Sequence, residues 1–200
     1  AYPYWNFYEW TDGSDNAGEL ERTAADKYNK RYALNLNAYY VYAEKKYASI
    51  YPEDKKDTSA LVALITREFY DEKKQMFRAY AGENFYTAFG NGLAMLIGAC
   101  PENMKIKLAD KIIDGAAVPA TLASAAYLYD ALLPLGEKYE NYVISSLDRS
   151  YKSMLDAGAT SFWETIDGAC SFGFAGSLCH GWSALPIYYY ALTGRVKFEK

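Results

Sequence analysis

Apolar residues recur at helical steps along almost the whole chain. Tyr28, Tyr32, Leu36, Tyr39, Ala43 and Tyr47 follow one another at three- and four-residue intervals. That spacing predicts one long amphipathic helix from about Gly18 to the break at Pro52. Leu61, Leu64, Ile65 and Phe69 predict a second helix, with Asp57, Thr58 or Ser59 as its cap. The polar, turn-like stretch "YDEKKQMFRAYAGEN" follows, and then "FYTAFGNGLAMLIGAC", a buried helix weakened by Gly90 and Gly92. Pro101 opens a helix with Met104, Leu108, Ile112 and Ile113 on one face, and Pro119 opens another that ends at Pro134 and Gly136. Tyr139, Tyr142, Val143, Leu147, Tyr151 and Leu155 mark the next, closed by Gly158, and a final helix is expected over roughly Leu178 to Leu192. The opening stretch, "AYPYWNFYEWTDGSDN", is aromatic and rich in turn formers rather than helix formers.

No strand-like alternation competes with these periods. The expected fold is all-α, with about seven helices joined as αα-hairpins in one domain covering residues 1–200. Equal-length sequence repeats are not visible.

The segment between Gly158 and Leu178 breaks the pattern. It is a long connection rich in Gly, Ser and Thr, and it carries Phe162, Trp163, Phe172 and Phe174. Loops beyond about 12 residues in compact domains are usually functional or disordered, and the aromatics argue for order. Glu164 directly follows Phe162 and Trp163, an apolar setting that favours the neutral acid and suits a proton acceptor. The alternative is a glutamate bonded to backbone amides of its own loop. His180, the only histidine, could donate to a ligand hydroxyl or sit satisfied in the core. Trp182 could stack on a sugar face or pack between helices.

Composition narrows the partners. The chain has 200 residues, 51% of them hydrophobic, and a net charge of -4 with its 21 basic residues dispersed, which speaks against nucleic acid. No apolar run approaches the ~20 residues of a membrane span. Tyrosine is in excess at 21 residues, which suits half-wet pocket walls as well as inter-helix packing. Cys100, Cys170 and Cys179 are an odd number without paired spacing, so a disulfide framework is not indicated and a reducing, cytoplasmic setting fits better. Cys170, Cys179 and His180 lack a fourth zinc ligand, and neither metal nor cofactor is expected. The chain begins with Ala1 rather than Met, so it is expected to be processed or cut from something longer, and an upstream targeting signal would be out of sight.

The motifs "GATSFWE" and "SLCHGWSALP" resemble the end of the catalytic domain of bacterial α-L-rhamnosidases, where forms like "GATTxWE" and "SxxHGWSAxP" occur. "YWNFYEW" is similar to the family's "W-x-F-x-D-W" segment, with Glu9 where aspartate is common. Between these anchors the helix links are also similar, so the resemblance spans nearly the whole chain. It implies αα-hairpins arranged as a partial (α/α)6 toroid of the six-hairpin glycosidase type, and inverting hydrolysis of terminal α-L-rhamnosides. It further implies that Glu164 is the general base and that His180 contacts the sugar. Trp10, Trp5, Trp182 and Trp163 would be pocket aromatics. The family's acid-bearing motif, like "DCPQRERxGW", does not occur here, and Glu9, Asp12, Asp15, Glu83 and Asp167 are poor substitutes for it. The expectation is therefore the C-terminal part of a catalytic domain, inactive or weakly active alone. Its partners would be a rhamnoside, and either a second copy or the missing N-terminal part against its open helices. A non-catalytic carbohydrate-binding or assembly domain of the same fold is the alternative.

Overall fold

The computed structural model describes residues 9–11 and 32–197. Trp5, Asp12, Asp15 and the expected helix start near Gly18 lie outside the described residues. The described chain is all-α, with eight helices and one two-residue ladder. It falls into two compact units, Ala1–Ala120 and Thr121–Lys200.

The first unit is built around α3. In order it contains α1 (Leu34–Ile50), α2 (Ser59–Phe69), β1 (Tyr70–Asp71), β2 (Met76–Phe77), α3 (Ala88–Ile97) and α4 (Glu102–Ile113). Helix α3 is apolar on nearly every side and buried along almost its whole length, and α1 packs Leu34, Ala38 and Val41 into the same core. Full burial of side chains such as Phe89, Leu93 and Ile97 stabilises by roughly 1.5–3 kcal/mol each. Thr87 caps α3 by accepting from the Gly90 amide at 3.1 Å, and Gly98 ends it at φ 81°. The expected cap region of α2 is also used: Asp57 Oδ1 accepts from the Ser59 amide at 2.9 Å.

Gly90 was expected to weaken its helix, but the space around it gives it a role. A Cβ there would stand 2.8 Å from Asn35 Oδ1, 2.9 Å from Thr87 Oγ1 and 3.1 Å from Leu34 Cδ2. The missing side chain lets α1 and α3 approach. Gly90→Ala should therefore destabilise by about 1–3 kcal/mol through overpacking, although propensity alone would favour alanine by about 1 kcal/mol. Urea denaturation measures the difference, and a stabilised variant would show that the helices part at no cost.

The "YDEKKQMF" stretch, expected to be only turn-like, forms the antiparallel ladder β1–β2, pairing Tyr70 with Phe77 and Asp71 with Met76. Asp71 organises it. Its Oδ1 accepts from the amides of Lys73 and Lys74 at 2.9 and 3.1 Å, Tyr86 donates to Oδ2 at 2.6 Å, and Arg78 pairs with the same oxygen. The Tyr86 hydroxyl foremost, with the Lys74 amide and the Arg78 charge, holds the Asp71 carboxyl below its usual range. A carboxyl depressed in the folded state stabilises above its unfolded pKa of about 3.9 and loses that contribution as pH falls through the folded value. Asp71→Asn should thus be less stable than the wild type at pH 7, and the two should converge on acidification below about pH 4. A pH-independent gap in urea melts would contradict this.

The second unit comprises α5 (Ala125–Leu132), a 3-10 turn at Leu133–Leu135, α6 (Glu137–Asp156), the long connection, and α8 (Pro186–Leu192). Within the connection, Ser171–Phe174 (α7) is a single turn. Leu128, Leu132, Val143, Leu147 and Tyr189 are buried in this unit. The Tyr189 ring meets Tyr129 edge-on at 5.3 Å, and its hydroxyl donates to the Ala126 carbonyl and to Asp130 Oδ1, each at 2.9 Å.

Three expected helix starts move. Helix α1 begins at Leu34, because Ala33 just before it is extended (φ -92°, ψ 128°) and bridges to Tyr80, so Tyr32 is not part of the helix. Helix α5 begins at Ala125, not Pro119, because the chain just before Pro119 is already paired: the Val118 amide donates to Tyr86 O at 2.9 Å, and Val118 O accepts from Ala88 N at 2.8 Å. The last helix begins at Pro186, not Leu178. Ser177, Leu178 and His180 are bonded across the connection, and the chain then makes only the single 3-10 turn Gly181–Ser183 before α8.

Candidate functional site

The connection after α6 is a closed loop with a laced neck. One leg runs 161–164 and the other 177–180. The His180 amide donates to Phe162 O at 2.7 Å, the Glu164 amide donates to Ser177 O at 2.9 Å, and Ser161 Oγ donates to Leu178 O. The Ser177 amide in turn donates to Glu164 Oε2 at 3.3 Å. One residue separates Phe162 from Glu164, whereas two separate Ser177 from His180. This bulge-like offset breaks the alternation of the second leg, a device that re-aims side chains.

Glycines shape the body of the loop. A Cβ on Gly176 would lie 2.0 Å from the Gly168 carbonyl oxygen, so the two backbones touch. The Trp163 indole lies on Gly168, where a Cβ would come within 2.6 Å of its ring. Gly168 itself is left-handed at φ 52°. At the tip, Phe172 and Phe174 take φ of 53° and 70°, a conformation that L residues with large side chains rarely adopt.

Of the residues expected in the site, this loop and the turn after it bring together Trp163, Glu164, His180 and Trp182. Glu164 is half-buried, with one carboxylate oxygen held by Ser177, while Oε1 has no partner among the described residues. The carboxylate is thus oriented by its own loop and keeps an oxygen that can accept a proton. His180 is extended (φ -135°, ψ 107°), and its ring stacks on Trp182 with centroids 5.6 Å apart at 29°. Its Nδ1 is buried with no partner among the described residues. Trp182 is 69% exposed, so a broad indole face is open to solvent. Trp163 is half-buried against Gly168. Trp10 belongs to the first unit and is half-buried, and beside it the buried Glu9 accepts from the Thr11 amide. Asp167 is exposed and Glu83 half-buried.

A groove of about 620 Å³ opens along α6 and α8, lined among others by Tyr151, Met154, Phe162, Pro186 and Tyr190. Glu164 and His180 are not among its walls. Tyr190 donates to Asp148 Oδ1 at 2.5 Å, and burial together with this bond pushes its phenol up to about 12.

Sequence reasoning missed Ser177, Gly168 and Gly176. Their roles depend on which residue faces which across the neck. Only the glycine richness of the loop hinted that its backbones come close.

Among the described residues no helix is long and apolar enough to cross a membrane, and no group of three or more His, Cys, Asp or Glu is placed to hold a metal ion. No protein-family model matches the chain, and no match is found among curated proteins. Among solved structures the chain is similar to a GH78 family rhamnosidase of Bacillus sp. GL1, with a TM-score of 0.72 and 19% sequence identity. That match covers 94% of this chain and 21% of the other, so the chain spans about a fifth of that enzyme's length. The likeness is one of fold: these residues share the all-α architecture of part of that rhamnosidase.

Proposed function

We propose that the chain forms part of an inverting glycoside hydrolase of the α-L-rhamnosidase type, with Glu164 as general base. The observation that carries this reading is the loop neck. It holds one oxygen of Glu164 and leaves the other available, on the leg facing the one that ends in His180 and leads to the exposed indole of Trp182. Inversion needs a water between base and acid, with the two carboxyl groups roughly 6.5–9.5 Å apart. On this reading Glu164 draws a proton from that water as it attacks the anomeric carbon. The proton donor to the leaving group comes from outside these 200 residues. His180 and Trp182 grip the sugar, by hydrogen bond and by stacking, with Trp163 completing the wall within the same loop.

A second reading, sugar binding without turnover, is favoured by the exposure of Trp182, which would serve a binding module equally well. Titrating the full-length protein with L-rhamnose while following tryptophan fluorescence, and assaying an aryl α-L-rhamnoside in parallel, separates the two. Turnover with inverted product supports the hydrolase. A fluorescence change with no turnover supports the binding module, and the absence of both removes the carbohydrate role.

A further inference from the structure

The hydrogen bonds at the neck raise the question of what sets their register. We infer that Gly176 is the positioning residue for the Glu164 carboxylate, acting through its backbone contact with Gly168. The inference rests on reading Glu164 as the base, and adds to it the element that aims the base.

Three observations meet at this point. First, the Gly168 carbonyl oxygen occupies the space next to Gly176 so closely that a Cβ would stand 2.0 Å away, and Ser171 Cβ would be 3.0 Å away on another side. A backbone obstacle cannot swing aside as a flexible side chain would. Second, Gly176 is tied to the same place by its amide, which donates to Ser171 O at 3.0 Å. Its chain neighbour is Ser177, whose carbonyl and amide hold the amide and carboxylate of Glu164. Third, the opposing backbone at Gly168 is pressed by the Trp163 indole, and Trp163 is the neighbour of Glu164 on the other leg. The path closes on itself: Glu164 to Ser177, Gly176 to Gly168, Gly168 to Trp163 and back to Glu164. Any side chain on Gly176 must push Gly168 or the second leg by more than an ångström, and the Ser177–Glu164 pair lies at the end of that lever.

The experiment compares Gly176→Ala, Glu164→Ala and Glu164→Gln in the full-length protein. Hydrogen exchange at the Ser177 amide reads the carboxylate's position directly, and steady-state kinetics reads its consequence. Exchange should rise at least about tenfold in Gly176→Ala and Glu164→Ala, and little in Glu164→Gln, which keeps the acceptor. For Gly176→Ala, kcat should fall by about 10²-fold with KM nearly unchanged, the mark of a misplaced group rather than a lost binding contact. Unchanged exchange in Gly176→Ala overturns the inference, as does raised exchange with undiminished kcat where Glu164→Gln is impaired. If Glu164→Gln stays fully active, the assignment of the base falls, while the exchange result still decides the positioning. Should Gly176→Ala not fold, Trp163→Ala, which lifts the indole from Gly168 and adds no atom, must raise Ser177 exchange in the same direction.

Discussion

Glu164→Gln in the full-length protein is expected to lower kcat on an aryl α-L-rhamnoside by about 10²–10⁴-fold, the usual contribution of a general base. The variant is informative because little else changes. A glutamine oxygen can still accept from the Ser177 amide, so the bond that orients the side chain survives. The Glu164 amide, bonded to Ser177 O at 2.9 Å, is untouched. What is lost is the capacity of the oxygen to take a proton from water. KM should therefore stay near the wild-type value, and circular dichroism should show an unchanged melt. Undiminished turnover would remove Glu164 from the mechanism.

The largest effect on stability is expected at Asn91. This residue is fully buried on α3, and its amide behaves as a strand neighbour to Phe77: Oδ1 accepts from the Phe77 amide at 2.8 Å, and Nδ2 donates to Phe77 O at 3.0 Å and Thr87 O at 2.9 Å. Leucine has similar volume but no polar atoms. Asn91→Leu leaves the Phe77 amide and carbonyl without these partners inside the core, at a cost of about 1–3 kcal/mol for each orphaned group. A loss of about 3–5 kcal/mol in urea denaturation is the expected sum, a large share of a domain's stability. A loss below about 1 kcal/mol would mean that water or a shifted backbone replaces the amide.

Much of the helical scaffold was legible from spacing alone. The periods of Leu61 to Phe69 and of Tyr139 to Leu155 locate α2 and α6, with Ile65, Phe69, Tyr139, Val143, Leu147 and Tyr151 buried, although Leu64 and Leu155 are exposed. Asn91 shows the limit. It sits in an apolar run that announces a buried helix, yet nothing local says that a strand edge will seek its amide from 14 residues away. The start of α8 fails for the same reason. Leu178 and His180 are tied to Ser161 and Phe162 across the connection, and between them and Pro186 the chain makes only the 3-10 turn Gly181–Ser183. At the candidate site the sequence pointed to the loop and to Glu164. The grip of Ser177 and the touching glycines are long-range facts, invisible to any window that slides along the chain.

The tip of that loop has a consequence for how the chain can be cut. Phe174 is 85% exposed, Phe172 is 43% exposed, and Gly173 lies between them with left-handed backbone. Such an exposed aromatic segment is a natural entry for a chymotrypsin-like protease. The neck stays closed by hydrogen bonds between 161–164 and 177–180, which do not pass through the tip. A single nick at Phe172 or Phe174 would therefore leave two fragments held together. The same position is the place to join a reporter or to open new chain ends while keeping Glu164 opposite Ser177.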